Sequence, residues 1–209
     1  MLFIEKLISD PSTFFIQISV VVFSVCCHEY AHARIALQQG DPTAAYSGHL
    51  TLNPHKQMGV YSLLMLAFLG IAWGQVPVNT SNLKNKYSEA LVAFAGPATN
   101  LILFFAFTIL LVIAEKSMSA DFAVKILVMK FCYLGSILNF ALFIINLLPV
   151  PILDGWPILL HFFPKLKYSN SEFFKGFTLF ICFVVLFGIN KIFVFADYLV
   201  QTILHAMLY

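Results

Sequence analysis

The residues in this sequence best suited to do chemistry are His28-Glu29-Tyr30-Ala31-His32, a His-Glu-x-x-His pattern behind an almost wholly apolar run. On a helix, residues four apart stand on one face, so the imidazoles of His28 and His32 can close on one ion. Glu29 follows the first of them, projects beside the same ion and can act on a water there. In a soluble protein the spacing reads as a zinc hydrolase. Here the surrounding stretch is apolar enough to lie in a bilayer, where two imidazoles and a carboxylate are costly and mark a functional site. The competing reading is a pair of packed core histidines, and a further ligand downstream separates the two.

Zinc takes four ligands, and a catalytic zinc keeps one position for water, so one more protein group is required. The candidates are Asp154, His49, His55, His161, Asp41 and Glu89. Asp154 has the best placement. It lies in Pro149-Val150-Pro151-Ile152-Leu153-Asp154-Gly155-Trp156-Pro157, where three prolines free the chain from helical geometry and Gly155 permits a close bend. The same position suits an N-cap for a short helix starting at Gly155, and spacing leaves both readings open. His49 reads as a polar or substrate-side residue, His55 and His161 as solvated, and His205 as packing or reaching to the interface.

The elements that must position these groups follow from composition. Of 209 residues, 60% are hydrophobic and 11% charged, with a mean hydropathy of +0.88. A soluble domain is about a quarter charged, so this is an integral membrane protein. A net charge of +2, scattered along the chain, excludes a nucleic-acid surface. Four cysteines, all in apolar segments, form neither a disulfide framework nor a zinc ribbon. A cleavable leader ending at Ala31-His32-Ala33 is rejected, since cleavage there would destroy the site.

Along the chain, residues 1–12 read as an amphipathic entry, and 14–37 as a span ended by Gly40-Asp41-Pro42. Residues 46–53 alternate and are β-prone, an edge that cannot face lipid and could accept an extended peptide. Residues 58–73 form a half-span or tilted helix, and 74–87 an aqueous loop. Spans follow at 89–114, interrupted at Gly96-Pro97, and at 122–148, with a tight charged loop at 115–121 between them. After a polar connection at 161–172, residues 173–209 make one or two spans divided near Gly188–Lys191. The expected fold is therefore an all-α polytopic membrane protein of about 4–6 transmembrane or half-spanning helices, with a small membrane-associated β segment near 46–53. Residues 1–209 are read as a single membrane-embedded domain. Arg34, Lys56, Lys84, Lys86, Lys165, Lys167 and Lys175 collect on the side where the first span ends, which orients the His-Glu-x-x-His end towards the cytoplasm.

Three segments now occur in order: His28-Glu29-Tyr30-Ala31-His32, Gly96-Pro97-Ala98-Thr99-Asn100, and Asn146-Leu147-Leu148-Pro149-Val150-Pro151-Ile152-Leu153-Asp154-Gly155. Together they resemble the site-2 protease family of intramembrane zinc metalloproteases. Thr51-Leu52-Asn53-Pro54 and Trp73-Gly74-Gln75-Val76-Pro77-Val78-Asn79 are similar to connecting segments of its short bacterial branch. The resemblance implies one Zn²⁺ per chain held by His28, His32 and Asp154, with Glu29 as catalytic base. It implies that Asn146 helps position substrate or the oxyanion, and that the stretch containing His49, Thr51 and Asn53 holds unwound substrate. It also implies a transmembrane protein substrate in the bilayer of the cell membrane, with no nucleic acid and no PDZ-like or CBS-like module. The sequence departs from the branch at His49, where Arg is usual, at Gln57-Met58-Gly59, where His-Ile-Asp is usual, and by a one-residue deletion before Pro77; the substrate edge is where its shape should differ. Two other classes fit the same groups. One is an intramembrane metal transporter, which should show repeated broken helices that are not seen here. The other is an inactive relative that binds membrane proteins without cutting them, although no expected catalytic residue is missing.

Overall fold

In the computed structural model, residues 3–117, 122–168 and 172–208 are described, with backbone alone at 117, 122–123, 167–168, 172–175 and 177–186. Among them the chain forms α1 (Lys6–Ser9), α2 (Pro11–Gln38), α3 (Thr43–Tyr46), α4 (Pro54–Gln57), α5 (Gly59–Leu69), α6 (Ser88–Ser117), α7 (Phe122–Asn146), α8 (Gly155–Phe162) and α9 (Glu172–Leu208). Four stretches are long and apolar enough to cross a membrane, at 11–38, 88–116, 124–146 and 187–208. The protein is thus an all-α, multi-pass membrane protein. With 11 residues, α5 is about 16 Å long and falls short of a bilayer core.

Local sequence explains where these helices begin and end. The Asp10 side chain accepts from the Thr13 amide at 3.0 Å, and Pro11 supplies the first helical position of α2. At the other end the chain leaves through Gly40, whose φ of +102° is open to glycine. Gly96-Pro97 does not interrupt α6, which runs unbroken from Ser88 to Ser117. Likewise α9 continues through Gly188–Lys191 without a division. The charged loop expected at 115–121 lies largely outside the described residues.

Packing places α6 between α2 and α7, with α9 against α7. Phe104, Phe107, Leu111, Cys132 and Val200 make a buried core among α6, α7 and α9, while Val25 and Cys26 of α2 pack with Met58 and Leu66. The opposite face of α6 carries Ile102, Phe105, Ile109 and Ile113, all at least half exposed and spaced along one side, as a lipid-facing stripe requires.

The β segment expected at 46–53 is not a strand. Tyr46 closes α3, Gly48 turns the chain with φ +76°, and Asn53 caps α4 by accepting from the His55 amide. The buried Gln57 side chain donates to the carbonyls of His49 and Thr51, folding this stretch into a compact turn. A side chain bonded inside its own loop replaces the partner strand that the alternation had called for.

Candidate functional site

α2 carries His28, Glu29 and His32 on its buried side, near the end of the bundle where α6 starts and α7 finishes. His28 Nε2 and His32 Nε2 are 2.9 Å apart, and the Asp154 carboxylate lies 3.0 Å from the first and 3.3 Å from the second. One ligand atom from each residue falls within 4.8 Å of the others. Asp154 stands in the N-cap position of α8, yet its side chain makes no capping bond. It turns to the imidazoles instead. Gly155 makes this possible: a Cβ there would collide with the carbonyls of Leu147 and Leu148, so only glycine lets α8 close against the unwound 147–154 segment.

The hydrogen bonds decide what these atoms can do. His32 Nδ1 lies 2.7 Å from the Val92 carbonyl, which only accepts, so that nitrogen carries the proton. His28 Nδ1 lies 2.6 Å from Asn100 Oδ1, again an acceptor. Both Nε2 atoms therefore present lone pairs to each other and to Asp154. Consistent with this, Asp154 Oδ2 is buried without a hydrogen-bond partner despite its short contact. Three acceptors facing one point need a positive charge between them, a proton or a metal ion.

The donor set fits zinc: two neutral imidazoles and one carboxylate, with second nitrogens held by outer partners. The space fits too. A Cβ at Gly96 would collide with Nε2 of both histidines, so the glycine leaves a cradle directly over the ligand atoms. The Gly-Pro pair read from sequence as a helix break thus serves to make room.

These groups open on a cavity of about 730 Å³ lined also by Val25, Leu138, Asn146 and Ile189. Glu29 lines it and accepts no hydrogen bond from a described residue. Across it runs the non-helical segment 71–79, and a Cβ at Gly74 would strike the Glu29 carboxylate. This strap is fastened along its length. Ser62 Oγ donates to the Trp73 carbonyl at 2.6 Å and accepts from its amide at 2.9 Å; Gln75 donates to the Gln57 carbonyl at 3.0 Å. The fully buried Asp41 accepts from the amide of Asn79 at 2.7 Å and from Asn82 Nδ2 at 2.9 Å.

His28, Glu29, His32, Asp154 and Asn146 therefore meet at one cavity, and His49, Thr51 and Asn53 do not line it. Sequence reasoning quoted the segments that hold Gly74, Gly96 and Asn100 but gave these residues and the strap no role at the site. Two glycines without an obvious turn, each in an otherwise apolar or strand-like stretch, were the available signal.

A sequence profile of peptidase family M50 matches residues 16–126 and 112–189. YwhC of Bacillus subtilis (strain 168), which carries the provisional name of a zinc metalloprotease, is 35% identical over 173 residues, 80% of this chain and 77% of its own length. Rip2 of Mycolicibacterium smegmatis, named in the same provisional way, is 31% identical over 156 residues, 71% of this chain and 58% of its own. Rip2 of Mycobacterium tuberculosis (strain H37Rv) is 32% identical over 143 residues, 65% and 52% respectively. The chain spans little more than half the length of the Rip2 relatives. No solved structure matches it.

Proposed function

This chain belongs to peptidase family M50, a family of metalloproteases, and on that premise we propose that it hydrolyses a peptide bond within or near the transmembrane segment of a membrane-protein substrate. One observation carries the reading. His28 Nε2, His32 Nε2 and the Asp154 carboxylate converge on one point, with both Nδ1 atoms bonded outward, beside Glu29 and open to a cavity. The relatives' names make zinc the ion of choice.

Zinc held by His28, His32 and Asp154 would supply a Lewis acid that lowers the pKa of a water to about 7. Glu29 would take the proton of the attacking water and return it to the leaving amine. Its carboxylate accepts no hydrogen bond among the described residues. Asn146, at the last turn of α7, offers its amide to the substrate carbonyl.

Substrate must meet this site unwound, since the carbonyls of a helix are engaged in their own hydrogen bonds. The strap offers the edge that the 46–53 stretch does not. The amides of Trp73, Gln75 and Asn79 are bonded to the protein body, and Pro77 has none. Those of Gly74, Val76 and Val78 find no acceptor among the described residues, and all three residues line the cavity. This alternation is that of an extended edge able to add a peptide strand. Suitable substrates are transmembrane segments whose helix is weakened by Gly, Pro or Asn. The lysines and arginine gathered at this end orient the site towards the cytoplasm.

The test is zinc content of detergent-purified protein by mass spectrometry, together with cleavage of a transmembrane reporter containing helix breakers. Glu29→Gln should keep about one zinc per chain while cleavage falls by about 10²–10⁴-fold, and Asp154→Ala should lose both. Wild-type protein that takes up no zinc even after addition, or undiminished cleavage by Glu29→Gln, would overturn the reading.

A further inference from the structure

We infer that Asn139, a residue of α7 that touches none of the candidate ligands, is a positioning residue that decides which nitrogen of His28 is left free for the metal. The inference rests on the metal-centre reading of His28, to which a chain of buried amides leads from Asn139. Asn139 Nδ2 donates to the Gly135 carbonyl at 2.9 Å and to Ser24 Oγ at 2.8 Å. A backbone carbonyl only accepts, so this bond fixes which end of the Asn139 amide is nitrogen, and both of its hydrogens are used. Its oxygen therefore faces Asn100, which must present Nδ2, and does so at 2.9 Å. The oxygen of Asn100 is thereby turned to His28 Nδ1, at 2.6 Å, and can only accept there. The proton is held on Nδ1 and the Nε2 lone pair points at His32 and Asp154.

Ser24, Asn100 and Asn139 are all fully buried, so no water can reverse an amide and repair the pattern. Close approach of α6 and α7 is allowed by Gly135, where a Cβ would lie 2.8 Å from the Phe107 ring. His32 offers an internal control. Its Nδ1 is held directly by the Val92 backbone carbonyl, which no side-chain substitution removes. One ligand is oriented by backbone, the other by a relay of side chains from two neighbouring helices. Only the second can be undone by mutation at a distance.

The relay could equally be a clamp that joins α2, α6 and α7, and two substitutions separate these roles. Asn139→Asp keeps an acceptor for Asn100, whereas Asn139→Leu leaves the Asn100 amide free to turn its NH₂ towards His28. A clamp is damaged by both; an orienting relay survives the first. Zinc affinity of the full-length protein, measured by chelator competition, should stay within about threefold of wild type in Asn139→Asp and fall by about 10–100-fold in Asn139→Leu. Alongside it, ¹⁵N-histidine spectra of the metal-free protein should show His28 protonated on Nδ1 in wild type and Asn139→Asp. In Asn139→Leu they should show it mixed, with His32 unchanged. Equal zinc affinity in wild type and Asn139→Leu, or equal loss in both variants with an unaltered His28 spectrum, would overturn the inference. If wild type binds no zinc, the proposed function fails, and the histidine spectra alone decide this inference.

Discussion

Ionisable groups sit within or beside the apolar spans in two parts of this molecule, and they are treated differently. Away from the metal centre, Asp197 near the middle of the α9 span accepts from the Tyr133 hydroxyl and, at 2.9 Å, from Gln201 Nε2, which also reaches the tyrosine oxygen at 3.1 Å. Each acceptor there has a donor. Around His28, His32 and Asp154 the count does not close: the imidazole protons are committed outward to Asn100 and Val92, and three acceptors are turned on one another. A carboxylate has its donors in one place and is turned on other acceptors in the other. Donor–acceptor bookkeeping, not the presence of charge in the membrane, separates them.

Filling the cradle should break this comparison most. Gly96→Ala puts a methyl group against both Nε2 atoms, and we expect zinc affinity to fall by at least about tenfold, with reporter cleavage lost in parallel. Zinc titration of the purified variant measures it; full affinity would mean the ligand atoms are not held as closely as described. Next in size, Asp197→Asn and Tyr133→Phe should each lower stability by about 1–3 kcal/mol, read from thermal unfolding in detergent, while zinc content stays at the wild-type level. Loss of zinc from either variant would join the two regions that are separated here.

The smallest effect concerns Asp41, which fastens the strap from outside the spans. Burial favours its neutral form, but bonds from Thr43, Asn82 and Asn79 outweigh this and lower its pKa. A folded pKa below the unfolded value of about 3.9 gives stability that is present above that value and is lost as pH falls through the folded pKa. Unfolding temperature should therefore drop on acidification below about pH 4, and Asp41→Asn should flatten that part of the curve. An unchanged acid slope in the variant would remove Asp41 from the fastening of the strap.

Two short stretches took shapes other than those expected of them, for a physical reason. Residues 46–53 alternate as a strand does, yet Gln57 captures two of their carbonyls and Asn53 ends them in a helix cap. Residues 58–73 read as a short helix and 74–87 as an aqueous loop, yet Ser62, Gln57 and Asp41 stretch 71–79 over Glu29. Alternation reports which side chains could share a face, and it carries no information about which distant polar group will hold the backbone.

The sequence by itself determined the spacing of His28 and His32 on one helical face, the apolar spans, and the proline-broken segment that frees Asp154. These are properties of residues close in the chain, set by helical periodicity, hydropathy and proline sterics. Tertiary structure alone decided that Asp154 faces the imidazoles and does not cap α8, that Gly96 is a cradle within a continuous helix, and which nitrogen of each histidine is free. Each of those outcomes depends on hydrogen bonds or close approach between helices far apart in sequence, such as Val92 on His32 or Asn139 on Asn100, and pair contacts of that kind are fixed only when the bundle closes.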